Sequence, residues 1–273
     1  MNKDKIDLVL SFLKEQKQID FTGCSPEMLE RRITRRFIPT NTIDFIGYLE
    51  YLMTHNEELE QLVQTITIKV SHFFRNPHDF EILGKIIAAK LNAKRQSNDP
   101  LRIWSAGCAT GEEVYSIAIL IDAYNSQDAG DINIFATDID TAAIENAKAG
   151  IYNADAVKEV KYGLLQKYFT QKGDKFHISD RIKNMVNFSR FDLLTHQSVV
   201  PPESVYGSFD IVSCRNVLIY YDLNSQNLIW QKLFRSLAKS GYVFLGEAET
   251  PSEDYRHSLK RVSPEAKIYR RLL

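Results

Sequence analysis

Two glutamates stand where many nucleotide-binding folds hold a phosphate. The stretch RIWSAGCATGEEVYSIAIL, residues 102–120, has the pattern of a strand, a tight turn and a helix. The turn contains Gly107 and Gly111 but neither the G-x-G-x-x-G dinucleotide fingerprint nor the Gly-Lys-Ser/Thr end of a Walker loop. Glu112 and Glu113 suit the positive end of the helix dipole and would repel phosphate. The pattern therefore favours a ligand that is neutral or cationic at this end.

A further carboxylate, Asp138, follows the next predicted strand in FATDID. An aspartate at this place can accept hydrogen bonds from the ribose hydroxyls of a nucleoside. S-adenosylmethionine carries a ribose, an ammonium and a sulfonium, and so meets both conditions. Each feature alone has an ordinary explanation, because glutamates complement helix N-termini and aspartates often cap helices. Together they favour an S-adenosylmethionine site that includes Gly107, Glu113 and Asp138.

The elements that must position these residues fall into two regions. Apolar residues recur at helical spacing to about residue 85, which predicts an all-α N-terminal domain over residues 1–85, with a helix start at Ser25 and Pro26. Over residues 86–273, short apolar runs alternate with helical patterns, which predicts an α/β domain with a parallel sheet. Short β-like runs around Gly173 and Asp174 predict a small antiparallel insertion at about residues 160–190.

The composition narrows the class of protein. A chain of 273 residues with 44% hydrophobic content can bury one large core, or one core and a small satellite domain. The formal net charge of -1 gives no global positive field for nucleic acid or an anionic membrane. Cys24, Cys108 and Cys214 lack zinc-site spacing and disulfide density, so we expect no metal and a cytoplasmic location. The sequence has no run of about 18 apolar residues, so we expect no membrane insertion.

Four ordered motifs resemble the chemotaxis receptor methyltransferases of the CheR family. They are SHFFRN (residues 71–76), WSAGCATGEEVYSIA, FATDID and FDIVSCRNVLIYY (residues 209–221), and the resemblance covers nearly the whole chain. It implies a helical N-terminal domain, a Rossmann-like methyltransferase domain with a small antiparallel subdomain, and methyl transfer from S-adenosylmethionine to receptor glutamates, leaving S-adenosylhomocysteine. By resemblance the cofactor contacts fall on Ser71, Arg75, Glu113, Asp138, Asp192, Leu193, Arg215 and Asn216, with Tyr220 beside the reacting centre. The family often has asparagine where Lys69 stands, which leaves that contact open.

Methylation of a glutamate side chain needs no general base, because the carboxylate is already ionised near neutral pH. We therefore expect catalysis to come mostly from positioning. Arg75 and Arg215 can each hold a carboxylate with two-point geometry, and we place Arg75 on the cofactor side. The neutral donor Tyr220 suits the substrate better, because a cation would stabilise the charged ground state. An ordinary buried tyrosine is the alternative interpretation of Tyr220.

Four arginines in SPEMLERRITRRF form a second candidate site. At helical spacing, Arg31, Arg32, Arg35 and Arg36 fall on one continuous face. Such a face suits an acidic partner helix, and the corresponding helix of the family is implicated in receptor recognition; a solvated charged face is the alternative. We expect the partner to be the cytoplasmic methylation helices of membrane chemoreceptors and the protein to be a monomer.

The predicted hairpin at Gly173 and Asp174 bears on how a receptor is held. Some members of the family grip a pentapeptide at the receptor's C-terminus, and these carry a longer, glycine-richer loop. A tight hairpin leaves little room for an added peptide strand. We therefore expect this chain to work without the pentapeptide.

Other classes of protein share parts of this pattern. A nucleic-acid amino methyltransferase would place an Asn/Asp-Pro-Pro-aromatic motif after the strand ending in SCRNVL, whereas Pro201 and Pro202 precede that strand. A non-catalytic module that binds S-adenosylmethionine or the receptor would have the same cofactor residues, as would a methyltransferase acting on another protein. A nicotinamide dehydrogenase is disfavoured by the missing glycine fingerprint.

Overall fold

The computed structural model describes residues 2–67, 71–125, 131–195 and 197–272. The described residues form two compact units: one contains residues 2–67 and 220–228, and the other contains the rest. Lys69 lies outside the described residues. In the described part of the chain, no helix combines the length and the apolar character that crossing a membrane requires.

The first unit is helical because apolar residues repeat at helical spacing and because capping side chains start the helices. As predicted, Ser25 accepts a hydrogen bond from the amide of Met28 at 3.4 Å, and Pro26 takes the first helical position. Asp44 caps a later helix. The helices are α1 Asn2–Lys17, α2 Pro26–Thr34, α3 Phe37–Thr40, α4 Phe45–Thr54 and α5 Asn56–Ile66. The buried apolar residues include Val9, Leu13, Ile33, Leu52 and Leu62.

The rest of the chain alternates strands with helices, as the sequence pattern predicts. The strands are β1 Leu101–Ala106, β2 Ile132–Asp138, β3 Ile151–Tyr152, β4 Phe169–Lys172, β5 Lys175–Ile178, β6 Val186–Arg190, β7 Phe209–Cys214, β8 Leu237–Leu245, β9 Leu259–Arg261 and β10 Ile268–Arg271. The helices are α6 Pro77–Ser97, α7 Glu112–Tyr124, α8 Thr141–Ala149, α9 Ala154–Val157, α10 Tyr162–Tyr168, α11 Asp180–Lys183, α12 Leu223–Ser236 and α13 Glu253–Arg256, with short 3-10 turns at Pro202–Ser204 and Leu218–Tyr220.

The larger sheet sets the position of the candidate site. Its strand order over the described residues is β6-β2-β1-β7-β8-β10-β9, with β10 antiparallel to both neighbours and β6, β2, β1, β7 and β8 parallel. Strands β1 and β7 are buried along their whole length, because helices cover both faces of a parallel sheet. From β1 the chain adds β2 and then β6 on one side of β1, and later adds β7 and β8 on the other side, so the strand order reverses at β1. Ligands of such sheets bind outside the carboxyl ends of the strands at this switch point.

The small antiparallel sheet confirms the predicted insertion as a feature of the fold. Its order is β3-β5-β4, and β4 and β5 form a hairpin that turns at Gly173 and Asp174. Gly173 has a φ of 61°, a conformation that glycine adopts without strain. The two-residue turn agrees with the tight hairpin expected from the sequence.

Helix α6 differs from the expected division of the chain. We predicted that the helical region ends near residue 85, but α6 runs through that residue from Pro77 to Ser97 and belongs to the second unit. Phe80, Leu83 and Ile87 of α6 are buried in the core that also contains Ile103 of β1 and Ile117 of α7. Helical periodicity finds such a helix but cannot say which sheet or bundle it packs against.

Candidate functional site

The turn between β1 and α7 is tied closely to its neighbours. The amides of Gly107 and Cys108 donate to the carbonyl oxygen of Thr137 in β2, at 2.8 and 2.9 Å. Gly107 has a φ of 75°, and a Cβ at this position would lie 2.5 Å from Cγ2 of Val217. Any larger residue would strain the backbone of the turn and require the Val217 side chain to shift. Glycine at position 107 therefore has a packing reason, and its role in cofactor binding stays a prediction.

Asp138 ends β2 with its carboxylate directed at this turn. Its Oδ2 accepts from the amide of Ala109 and its Oδ1 from the amide of Asp140, both at 2.9 Å. Burial raises the pKa of Asp138, and the backbone hydrogen bonds, including one from Ile139, oppose that rise. A carboxylate has more acceptor positions than these amides use, so Asp138 can still accept from a ribose hydroxyl.

Glu113 and Arg215 form a buried ion pair at the end of β7. Arg215 Nη1 lies 3.3 Å from Glu113 Oε2, and Ser213 donates to Glu113 Oε1 at 2.6 Å. Arg215 Nη2 lies 3.3 Å from Oδ2 of Asp79, and the guanidinium stacks 4.3 Å from the ring centre of Phe244. The arginine side chain is only 1% exposed. Carboxylates of the protein itself thus engage the guanidinium that we expected to orient a ligand.

The segment that carries Arg75 has an unusual backbone. Phe74 and Asn76 have φ values of 55° and 62°, which residues other than glycine rarely adopt. The amide of Phe74 donates to Ser116 Oγ at 2.9 Å, and Arg215 donates to the carbonyl oxygen of Arg75 at 3.1 Å and to Asn76 Oδ1 at 3.0 Å. These bonds fix the backbone of the half-buried Arg75 near the start of α6.

Glu112 is a site carboxylate that our list of candidates omitted. It is buried, accepts from Thr110 Oγ1 at 2.8 Å and also accepts from the hydroxyl of Ser71. Burial raises the pKa of Glu112, and both hydroxyl donors oppose the rise. Ser71 therefore joins the Arg75 segment to the first turn of α7. The adjacent glutamates in the sequence were the signal, but nothing there showed which of them is buried.

The segment after β7 is held by Glu249, which sequence reasoning missed. Glu249 Oε2 accepts from the amide of Asn216 at 2.9 Å, and Oε1 accepts from Val217 at 2.9 Å and Leu218 at 2.8 Å. The side chain is buried, and Asn216 takes a left-handed φ of 59°. The sequence offers only a carboxylate after the β8 pattern, in GEAET, as a signal.

Asp192 and Leu193 follow β6 on the other side of β2. Asp192 Oδ1 accepts from the amide of Leu194 at 2.8 Å, and Leu193 is buried. The buried Lys232 donates to the carbonyl oxygen of Thr195 at 2.7 Å. Burial lowers the pKa of Lys232 to about 8, and Asp192 partly offsets this. The half-buried Asp192 thus keeps a carboxylate at the carboxyl edge of the sheet.

The charges at this edge fit S-adenosylmethionine. In the described part of the second unit, the carboxylates next to the β1–α7 turn are Glu112, Glu113 and Asp138, while the guanidinium of Arg215 is paired internally. An excess of carboxylate stabilises a sulfonium and an ammonium and repels a pyrophosphate. Asp138 keeps acceptor positions that suit a ribose hydroxyl.

The arginines of the first unit do not form the predicted continuous face. Helix α2 ends at Thr34, and Arg35 and Arg36 form the junction to α3 with helical φ and ψ angles. Arg32 is buried and donates to the carbonyl oxygen of Thr65 at 2.7 Å. Arg36 makes paired hydrogen bonds of 2.7 Å to Glu58. Arg31 and Arg35 are the exposed members of the predicted set.

Tyr220 belongs to the first unit in the division of the described chain. Its carbonyl oxygen accepts from the amide of Ser25 at 2.9 Å, and its hydroxyl interacts electrostatically with Arg32. The side chain of Tyr220 is half-buried, whereas the alternative interpretation was a fully buried tyrosine. Its role next to the reacting centre stays a prediction.

Comparison with known proteins matches both regions of the chain to one family. Residues 69–267 match the family described as "CheR methyltransferase, SAM binding domain". Residues 4–67 match the family described as "CheR methyltransferase, all-alpha domain". The two matches cover the sheet-containing and the helical parts in turn.

Individual relatives give the same picture. The chain is 30% identical over 257 residues to a chemotaxis protein methyltransferase of Borreliella burgdorferi, covering 92% of this chain and 89% of that protein. It is 33% identical over 242 residues to a chemotaxis protein methyltransferase of Escherichia coli, covering 86% and 79%. It is also 33% identical over 245 residues to an uncharacterized 104.1 kDa protein of Rhodobacter capsulatus, covering 88% of this chain but 25% of that protein.

Proposed function

The chain belongs to the CheR methyltransferase family, and from that membership we propose that it methylates glutamate side chains of chemoreceptors in chemotaxis, using S-adenosylmethionine as its cofactor. The observation that carries the proposal is the carboxylate-rich centre at the switch point of the sheet, where Asp138, Glu112 and Glu113 surround the turn at Gly107. This centre suits a cationic nucleoside. We propose further that the protein acts in the cytoplasm as a monomer on the cytoplasmic helices of membrane receptors.

The proposed chemistry makes few demands on acid–base groups. When bound, S-adenosylmethionine would supply the methyl group of its sulfonium to a carboxylate oxygen, and the sulfur would be left as a neutral thioether. The substrate glutamate is ionised near neutral pH, so no side chain of this chain must remove a proton. The role left to Asp138, Arg75 and Tyr220 is to hold the reacting groups in line. We place Arg75 on the cofactor side and Tyr220 next to the substrate, as neutral donor.

The chemical nature of the product tests this function. Radiolabelled S-adenosylmethionine, the protein and receptor-containing membranes from the same source should yield labelled receptor whose label is released as methanol by mild alkali, because alkali hydrolyses esters and spares methylated amines. Arg75→Ala and Tyr220→Phe should fold and transfer far less label. Label that resists alkali would contradict carboxyl methylation, and cofactor binding without any transfer would favour a non-catalytic module.

We propose that Arg31 and Arg35 help to hold the receptor. Both are exposed, whereas Arg32 and Arg36 are occupied within the first unit. Exposed cations attract an acidic helix and raise the rate of encounter. The proposed receptor-binding surface therefore contains two arginines, Arg31 and Arg35, and is smaller than the face predicted from the sequence. Its effect should be mainly on receptor affinity.

Charge reversal tests this surface. Arg31→Glu with Arg35→Glu should raise the KM for receptor by about tenfold, since screened surface pairs contribute about 0.2–1 kcal/mol each and the reversal adds repulsion. Affinity for S-adenosylmethionine should not change, and high salt should weaken wild type in the same way. Lys239→Glu with Lys260→Glu is the control, because it alters net charge equally at exposed positions of the second unit. Wild-type efficiency of the arginine variant in low salt would show a merely solvated surface.

We also propose that the enzyme works without a C-terminal receptor pentapeptide. The hairpin from β4 to β5 turns within Gly173 and Asp174, which leaves a short loop beside the exposed edge of β4. An added strand needs both a free edge and space for its side chains. Calorimetric titration with the pentapeptide should give no measurable heat of binding, whereas micromolar affinity would contradict the proposal.

A further inference from the structure

We propose that Glu249 is a positioning residue for methyl transfer, which fixes the segment Asn216–Leu218 and, through it, the cofactor turn at Gly107. The inference rests on the proposed function, because it treats that turn as part of an S-adenosylmethionine site. The inference goes beyond the proposed function, because it names a side chain that holds the shape of the site through backbone amides.

The carboxylate of Glu249 gathers amides from two separate segments. Oε1 accepts from Val217 at 2.9 Å and Leu218 at 2.8 Å, and Oε2 accepts from Asn216 at 2.9 Å and from Gly246 at 2.7 Å. Asn216–Leu218 follow β7, and Gly246 follows β8. Glu249 therefore ties together the carboxyl ends of two neighbouring parallel strands.

A carboxylate suits this task better than any other side chain. Successive N–H groups around a left-handed residue, here Asn216 with a φ of 59°, form a concave anion-binding nest. An ionised carboxylate has acceptor positions on both oxygens, whereas an amide has one accepting oxygen and would direct N–H groups at backbone N–H groups. Glu249 is buried, so amides left without an acceptor would find little water.

The packing around this nest carries its position to the cofactor turn. A Cβ on Gly246 would lie 2.8 Å from the amide nitrogen of Asn216 and 2.8 Å from Glu249 Oε2, so glycine is needed for the close approach. On the other side, Val217 Cγ2 lies where a Cβ of Gly107 would be, at 2.5 Å. A shift of Val217 therefore changes the packing against the turn that joins β1 to α7.

Cofactor titration measures the effect without any receptor. Glu249→Gln and Gly246→Ala should each weaken the binding of S-adenosylmethionine and S-adenosylhomocysteine by about tenfold or more in calorimetry, at a temperature well below the unfolding midpoint of each variant. Gly246→Ala keeps the carboxylate and disturbs only its approach, so it gives a second measurement if Glu249→Gln does not fold. Affinity within about twofold of wild type in either folded variant would overturn the proposal.

Asp210 supplies the matched control, because it is a buried carboxylate at the opposite end of β7. It accepts from Lys90 at 3.2 Å and from the amide of Arg102 at 3.1 Å. Asp210→Asn should lower the unfolding midpoint and leave the cofactor affinity of the folded protein unchanged. An equal loss of affinity in this variant would show a general structural effect and overturn the specific role of Glu249.

Hydrogen exchange of wild-type protein without cofactor gives an independent readout. The amides of Asn216, Val217, Leu218 and Gly246 should be protected, and exchange at the rates of an unstructured chain would overturn the proposal without any variant. A protein that binds the cofactor as described, with Glu249 acting as stated, but methylates no receptor would instead contradict the proposed function. The two failures are thus distinguishable.

Discussion

Arg215→Ala is expected to lower the free energy of unfolding of the second unit by about 3–5 kcal/mol, because it leaves buried carboxylates without their cation. Arg215 contacts Glu113 Oε2 and Asp79 Oδ2 at 3.3 Å each, with its side chain 1% exposed. The variant also removes the donor to the carbonyl oxygen of Arg75 and the stacking on Phe244. We expect the thermal midpoint, measured by calorimetry, to fall by about 10 °C or more. Arg215→Lys should fall in between, since it keeps the charge but loses the planar fork.

Arg181 provides a control arginine in the same unit. It pairs with the buried Asp122 at 2.6 Å, but its own side chain is 74% exposed. Asp122 also accepts from the hydroxyl of Tyr168 at 2.8 Å, so Arg181→Ala should cost about 1 kcal/mol or less. An equal midpoint for the two alanine variants would contradict the view that Arg215 holds the centre together.

Asp138→Ala is expected to weaken S-adenosylmethionine binding by about 2–3 kcal/mol, which corresponds to about 30-fold to 150-fold in Kd, because hydrogen bonds to a charged acceptor are lost. The loss also frees the amides of Ala109 and Asp140, which Asp138 holds at 2.9 Å. Asp140→Ala is the matched control in the same motif. Asp140 caps α8 by accepting from Ala142 at 2.9 Å, so its loss should cost about 1 kcal/mol of stability without changing cofactor affinity. Unchanged affinity of Asp138→Ala in calorimetry would contradict the assignment of the ribose site.

The same carboxylate predicts how cofactor binding depends on pH. Burial raises the pKa of Asp138 above the ordinary range of an aspartate, and a neutral carboxyl is a weaker acceptor for a ribose hydroxyl. The affinity for S-adenosylmethionine should therefore be highest above this raised pKa and should fall as the pH falls through it. This loss should occur at a less acidic pH than for an ordinary aspartate. Asp138→Ala should lose this pH dependence.

Local residue patterns were enough to predict most of the elements around the site. Among the short apolar runs of this region, LRIWSA is β1 and FDIVSC is β7, because continuous apolar runs are typical of parallel strands covered on both faces. Ser25 and Pro26 started α2 as expected, since capping depends on the side chain and the few amides next to it. The placement of Asp138 at the carboxyl end of β2 follows from the same local logic.

The arginine cluster shows where local patterns stop. Helical spacing placed Arg31, Arg32, Arg35 and Arg36 on one face. Helix α2 in fact ends at Thr34. In addition, Arg36 pairs with Glu58, which lies 22 residues further along the chain. Periodicity gives the direction of a side chain within a helix and carries no information on partners that the fold brings from elsewhere. Only the folded helices show that Arg31 and Arg35 are exposed.

The sequence by itself determined the order of strands and helices, the small-residue turn with its carboxylates and the family to which the chain belongs, because each depends on residue types at fixed spacing. The tertiary structure decided the partners of the buried charges. Arg215 reaches Asp79 across 136 positions of sequence, and Glu249 accepts amides 33 positions away. Burial makes an unpaired charge costly, so such pairs are fixed by where the sheet and its helices bring the chain together. No local pattern encodes that meeting, and for this reason the buried partners of Arg215 and Glu249 emerged only from the fold.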